Sequence, residues 1–163
     1  MRKRRRSGFG HGEPRYHLAF NPYPSQRFTK CPHCRANTGQ RKLPLLIHID
    51  QAQMVALNYT NRYCKHCDLL IAHKDEVESL LTDLFASAAP ELVGNDYLIF
   101  ATMEKNAWRD NMHSPRAPME MLDHIHDFKS YTELRMTRGG WYPEGVEPPE
   151  WTPPASERWV KEK

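Results

Sequence analysis

Three motifs that announce common catalytic sites are missing from this 163-residue chain: G-x-S-x-G, the P-loop G-x-x-x-x-G-K-[ST], and G-x-G-x-x-G. Their absence removes the nucleophile elbow, the phosphate-cradling loop and the dinucleotide turn as sequence-level readings. No apolar run approaches the roughly 18 residues that a membrane span requires. The longest runs, at residues 43–49 and 97–101, have the length of strands. The basic start is not followed by an apolar stretch, so no leader is expected and a cytoplasmic protein without membrane contact is predicted. Acid is nearly absent from residues 15–67, where Asp50 stands against eight Lys/Arg. Cysteine is absent except at four positions.

What is present is unevenly charged. The formal net charge of +3 conceals five cations in residues 1–6 and a surplus of seven in residues 15–67. Residues 68–142 carry thirteen acids against seven Lys/Arg, and residues 143–163 are also net acidic. A basic front joined to an acidic back suits a surface that faces a polyanion. Apolar residues make up 39% of the chain and prolines number 13. That is enough for one modest core, with extended segments outside it.

Along the chain, residues 1–14 read as a basic, Gly-rich flexible arm. Residues 15–28 are aromatic and interrupted by proline, and predict an extended path across a surface. Residues 40–50 and 54–63 predict a strand and its return, and residues 69–72 a third short strand. Asp75 with Glu78 resembles a capping box, followed by Val77, Leu80, Leu81, Leu84 and Phe85 at helical spacing. A strand at 96–104, a helix at 118–128 and a strand at 131–137 follow. Residues 143–163 form a Pro/Glu/Trp tail.

The four cysteines form two identical pairs, Cys31-Pro-His-Cys34 and Cys64-Lys-His-Cys67, with 29 residues between them. Two C-x-x-C turns supply four thiolates, the donor set of a closed tetrahedral metal site. With every position taken by sulfur, no ligand place remains for water or substrate. The ion is therefore expected to be structural and singular, zinc or, less favoured, iron; an S₄ donor set alone does not separate the two. The order of cysteine turn, hairpin, cysteine turn and strand resembles the zinc-ribbon superfamily over about residues 28–73, with a cysteine spacing shared by rubredoxins. The resemblance implies a three-stranded antiparallel ribbon around a Zn²⁺ held by Cys31, Cys34, Cys64 and Cys67. Many zinc ribbons place Gly after each pair, where this chain has Arg35 and Asp68.

Other residues are weaker candidates. His33 and His66 are redundant as ligands beside four cysteines and read as exposed turn residues. His113, His124 and His126, with Asp123 and Asp127, form a polar cluster. On a helix, His124 and His126 would splay their rings about 200° apart. Arg2, Lys3, Arg4, Arg5 and Arg6, with Arg35, Arg41, Lys42, Arg62 and Lys65, could neutralise phosphates. Nearby aromatics such as Tyr16 and Phe20 could stack on bases. Trp141, Trp151 and Trp159 are partner-anchor candidates, or hold the tail back against the domain.

The expected fold is α+β. An arm (1–14) leads into a zinc ribbon (15–73). An α+β extension packed on the ribbon follows (74–142), made of an amphipathic helix and a β-α-β unit, and then an extended tail (143–163). The expected role is a non-enzymatic adaptor touching nucleic acid or a ribonucleoprotein through the basic half. A protein-interaction module using the acidic half and the tryptophan tail is the second reading. A rubredoxin-like electron carrier is the third. No oligomeric state follows from the sequence.

Overall fold

The computed structural model describes residues 8–161; the candidate cations Arg2, Lys3, Arg4, Arg5 and Arg6 lie outside them. Its centre is one curled seven-stranded mixed sheet. The strands are β1 (His17–Asn21), β2 (Gly39–Ile49), β3 (Gln53–Cys64), β4 (Leu69–His73), β5 (Tyr97–Met103), β6 (Ile125–Asp127) and β7 (Ser130–Glu133). Their spatial order is β6-β5-β2-β3-β4-β1-β7. The α+β arrangement expected from the sequence, a three-stranded ribbon followed by a helix and a β-α-β unit, is therefore not the fold. The antiparallel trio β2-β3-β4 does form, but inside a larger sheet. The reason lies in its edges, whose unpaired N–H and C=O groups demand partners. β5 pairs antiparallel with β2, and β1 pairs parallel with β4 and with β7.

The longest ladder joins β2 to β3, from Gly39↔Tyr63 to Ile49↔Gln53. Its loop is the three residues Asp50, Gln51 and Ala52, and Ala52 takes φ 81°. Three-residue hairpin loops end in the left-handed region, usually at Gly or Asn. Alanine in that place explains why no turn dipeptide marks the hairpin.

Alternation along β2 divides the core between the two faces of the sheet. Leu43, Leu45, Ile47 and Ile49 point to the main cluster with Leu57, Tyr59, Leu70, Ile99 and Phe20. Helix α1 (Lys74–Phe85) covers that cluster with Val77 and Leu81. Leu46 points the other way, to Ala101, Met103, Ile125 and Ala107 of helix α2 (Lys105–His113). Burial on both faces is why residues 43–49 read as a continuous apolar run rather than an alternating one.

Several local expectations need correction. Helix α1 starts one residue before Asp75, with His73 at the N-cap and no side-chain cap. Asp75 and Glu76 instead receive the Arg27 guanidinium, at 3.0 and 3.1 Å. The helix expected at 118–128 shrinks to α3 (Pro118–Met121) and a single 3₁₀ turn, Leu122–His124. Residues 125–127 pair with Ala101, Thr102 and Met103 instead. Helix α2 had no visible apolar stripe because Ala107 is its one fully buried residue.

The chain ends are drawn onto this frame. From Gly8 onward the N-terminal segment follows β6, with Gly12 N–H donating to the Ile125 carbonyl at 3.0 Å. In the tail, Trp159 is 7% exposed within the main cluster and stands edge-on to Tyr97. Its Nε1 donates to the Asn95 carbonyl at 2.8 Å. Gly94, at φ 87°, lets the tail pass: a Cβ there would lie 2.5 Å from the Lys161 amide nitrogen. No described helix is long and apolar enough to cross a membrane.

Candidate metal centre

The two cysteine pairs arrive from different directions. Cys31 and Cys34 lie in the turn before β2, while Cys64 closes β3 and Cys67 precedes β4. The β3-β4 connection is short, so Cys64 and Leu69 are direct ladder partners. The first turn is closed by the Arg35 N–H donating to the Cys31 carbonyl at 2.9 Å, and by the Cys31 N–H donating to the Ala36 carbonyl at 2.8 Å. Thr38 ties that turn to the sheet. Its hydroxyl donates to the Phe28 carbonyl at 2.8 Å, and Arg62 Nη2 donates to its carbonyl at 2.9 Å.

All four sulfurs lie within 4.8 Å of one another. Cys34 Sγ is 3.5 Å from Cys64 Sγ, and Cys31 Sγ is 3.9 Å from Cys67 Sγ. Neither approach is a disulfide, whose bond is about 2.05 Å. Four sulfurs about 2.3 Å from a common ion define a tetrahedron with edges of about 3.8 Å. The two distances bracket that edge, so the donor set fits one tetrahedral ion. Ala19, Leu69 and Ile71 pack around buried Cys31 and Cys64. Cys34 remains exposed.

Both residues that follow the pairs are left-handed, Arg35 at φ 63° and Asp68 at φ 51°. The chain therefore makes, without glycine, the turn that glycine eases elsewhere, at a steric cost of about 1–2 kcal/mol per residue. In the first turn the His33 N–H donates to Cys31 Sγ at 3.4 Å. Crowded thiols resist ionisation. The neighbouring Cys34, followed by burial, pushes the Cys67 thiol up to about 12. A dication reverses that balance, because a coordinating thiol is deprotonated outright.

The other candidates separate into groups. Arg62 is half-buried and committed to Thr38, while Arg35, Lys42 and Lys65 are exposed. Arg41 donates to the Tyr16 hydroxyl at 3.1 Å and lies 4.1 Å above the Tyr63 ring. That hydrogen bond raises its already high pKa. Trp159 is in the core, and half-buried Trp151 leans on Tyr23 at 5.3 Å between ring centroids. Trp141 is 86% exposed. His33 and His66 are exposed beside the sulfurs.

The histidine cluster is not splayed, since His124 ends the 3₁₀ turn and His126 lies in β6. His124 Nδ1 and His126 Nε2 each meet a different oxygen of Glu104, both at 2.9 Å. His126, then His124, hold the Glu104 carboxyl below the ordinary glutamate value. His113 lies apart, exposed at the end of α2.

A second polar centre escaped the sequence reading. Buried His73 shares a hydrogen bond of 3.0 Å with Asn21, and the Tyr59 hydroxyl donates to Glu76 at 2.6 Å. Burial lowers the His73 pKa, so its imidazole is held neutral. Only the strand pairing Asn21↔His73, joining residues 52 apart, brings these groups together.

Comparison with known protein families, with curated proteins and with solved structures finds no match to this chain. The four-cysteine cluster is compatible with a zinc-ribbon-like site, and the residues themselves carry the functional reading.

Proposed function

We propose that this protein is a zinc-stabilised, non-catalytic adaptor that contacts nucleic acid, bare or within a ribonucleoprotein, through its basic N-terminal half. The carrying observation is a charge imbalance in three dimensions. Of the eight Lys/Arg between residues 15 and 67, Arg27 alone is ion-paired among the described residues. Lys30, Arg35 and Lys65 stand exposed around the sulfurs, and Arg15, Arg41 and Lys42 flank them along the sheet. Within the later half, Asp68, Glu78 and Asp83 are paired with that half's own cations Lys129, Lys74 and Arg158.

The metal's role in this reading is to hold the two turns. Four sulfurs complete its coordination, so it offers no open position for Lewis-acid chemistry. Zinc is the preferred ion because the surroundings are cationic and a redox-silent dication suits a structural role. The purified protein is expected to be colourless with one zinc per chain; a red ferric spectrum would establish the electron-carrier reading instead. The four thiols further suit a reducing compartment such as the cytoplasm.

Fluorescence anisotropy with a labelled single-stranded oligonucleotide tests the contact. Each phosphate contact neutralised by a cation adds about 0.7 to the slope of log K against log salt. Arg35→Met with Lys65→Met is expected to lower that slope by about 1–1.5. A salt-independent or absent interaction would retire the reading. Trp141, just before the tail, supports the alternative of a protein-docking surface there, because it is the one of the three candidate indoles left in solvent. Trp141→Ala is neutral to oligonucleotide binding if the main proposal holds.

A further inference from the structure

A cleft of about 440 Å³ opens beside the metal-bearing strands, where the start of α2 meets β2 and the residues before β1. Arg15, Arg41, Lys42 and Lys105 line it, with Tyr16 and Glu104. None of those four cations forms an ion pair with an acid among the described residues. The one carboxylate in the wall, Glu104, is already occupied by His124 and His126. Asp68, which acts electrostatically on Arg41, accepts from the Tyr63 hydroxyl at 2.9 Å and from Lys129 at 3.0 Å.

The two arginines are arranged unusually. Arg15 Nη2 and Arg41 Nη1 both donate to the single hydroxyl oxygen of Tyr16, at 3.3 and 3.1 Å. Like charges are thereby gathered around a neutral acceptor. Both guanidiniums also lie against aromatic faces, Arg15 at 5.1 Å from the Tyr16 centroid and Arg41 at 4.1 Å from that of Tyr63. Stacking fixes the planes of the guanidiniums while leaving most of their N–H groups unused. Tyr16 is 6% exposed and fixed by its neighbours: its carbonyl accepts from Lys129 N–H at 2.8 Å. Its oxygen accepts both arginines, so its own O–H remains to donate. No side chain caps α2, whose first residues, Lys105 and Asn106, add to the wall.

We infer that this cleft is a binding site for a phosphoryl group, either a free phosphate or phosphomonoester, or the phosphate of a polynucleotide. Two preset guanidinium forks and two mobile ammonium groups match a multiply charged tetrahedral oxyanion better than a planar carboxylate. The volume lies within the ordinary range for small-ligand sites. In its polynucleotide form the inference rests on the function proposed above; in its free-phosphate form it stands without it.

Titration of the full, metal-loaded chain with inorganic phosphate at constant ionic strength, read by calorimetry, tests the site, alongside anisotropy with the labelled oligonucleotide. Lys42→Met with Lys105→Met alters two exposed side chains that make no hydrogen bond or ion pair among the described residues, and Arg41→Lys keeps the charge but loses the fork. Saturable phosphate binding by the native chain is expected, weakened about tenfold or more in the double variant and measurably in Arg41→Lys. Failure of the native chain to bind phosphate, or equal binding by the double variant, overturns the site. Phosphate binding that obeys this pattern with no oligonucleotide binding leaves the cleft standing and retires the polynucleotide reading. Oligonucleotide binding that phosphate does not compete and the cleft variants do not weaken retires the polynucleotide form of the site and confines the cleft to free phosphate.

Discussion

Replacing Trp159 with alanine tests whether the tail is part of the fold. The indole is 7% exposed, stands edge-on to Tyr97 with centroids 6.1 Å apart, and donates to the Asn95 carbonyl at 2.8 Å. A buried tryptophan removes about 150–250 Å² from water, worth about 4–6 kcal/mol at roughly 25 cal/mol per Å². The flank near the chain end relaxes partly, so the lower range of about 3–5 kcal/mol for Trp→Ala applies. In a chain of this size each kcal/mol moves Tm by about 2–4 °C, giving a fall of about 6–20 °C. Circular-dichroism melts at saturating zinc measure it. Trp159→Phe keeps most of the apolar area and loses the N–H, so a smaller loss of about 1–2 kcal/mol is expected. Gly94→Ala should act in the same direction, because its Cβ would meet the backbone of Val160 and Lys161. Melts for Trp159→Ala within about 2 °C of the native protein would refute the packing argument, since even a low-end loss exceeds that.

Other expectations follow from separate features. Structural Cys₄ zinc contributes about 10–16 kcal/mol of apparent folding free energy; Cys67→Ser, or exhaustive chelation, should abolish stoichiometric metal and loosen residues 28–38 and 64–70, read by hydrogen exchange, and unchanged protection there would refute a structural ion. Arg35→Gly should be neutral or slightly stabilising and Arg35→Val destabilising by about 1–2 kcal/mol in urea unfolding, because φ 63° suits glycine and opposes a β-branched residue. Burial depresses the His73 pKa, so the unfolded chain binds a proton that the folded chain refuses; stability is full above the ordinary histidine value of 6.5 and declines as pH falls below it. His73→Gln should remove that part of the slope, and an identical slope in both proteins would count against it. The Glu104 carboxyl is held down by His126 and His124, so its contribution is present above the ordinary value of 4.5 and lost under more acid conditions. Glu104→Gln should flatten the acid limb of the stability curve.

Local signals made the metal centre legible and left the sheet largely hidden. Two C-x-x-C pairs specify ligands by type and spacing, and the paired strands between them follow from their own β-rich patterns. What joins β1 to β4 and β7 is long-range: residues 17–21 and 130–133 meet with no sequence mark that they should. Residues 15–28 read as extended because prolines forbid a helix, which is correct for β1 but silent about its neighbours. Residues 118–128 misled because Met121, Leu122 and Ile125 have helical spacing, whereas the exposed edge of β5 claims Ile125–Asp127 for a ladder. The cleft cations come from three separate segments, at residues 15, 41–42 and 105. Their charge was visible in the sequence, but their convergence depends on the pairing of β2 with β5 and on α2 following β5.

The parallel seating of β1 has a consequence for the time order of biosynthesis. β1 is synthesised before both of its partners, residues 69–73 and 130–133. Until residue 73 has emerged, Leu18 and Phe20 have neither strand to pair with, and one edge of β1 stays open until residue 133 is out. The β2-β3-β4 meander and its sulfurs, by contrast, are complete once residue 73 is out. Metal capture can thus precede closure of the sheet by some sixty residues of translation, leaving a loaded scaffold in which β1 can lie on β4 while its other edge waits for β7.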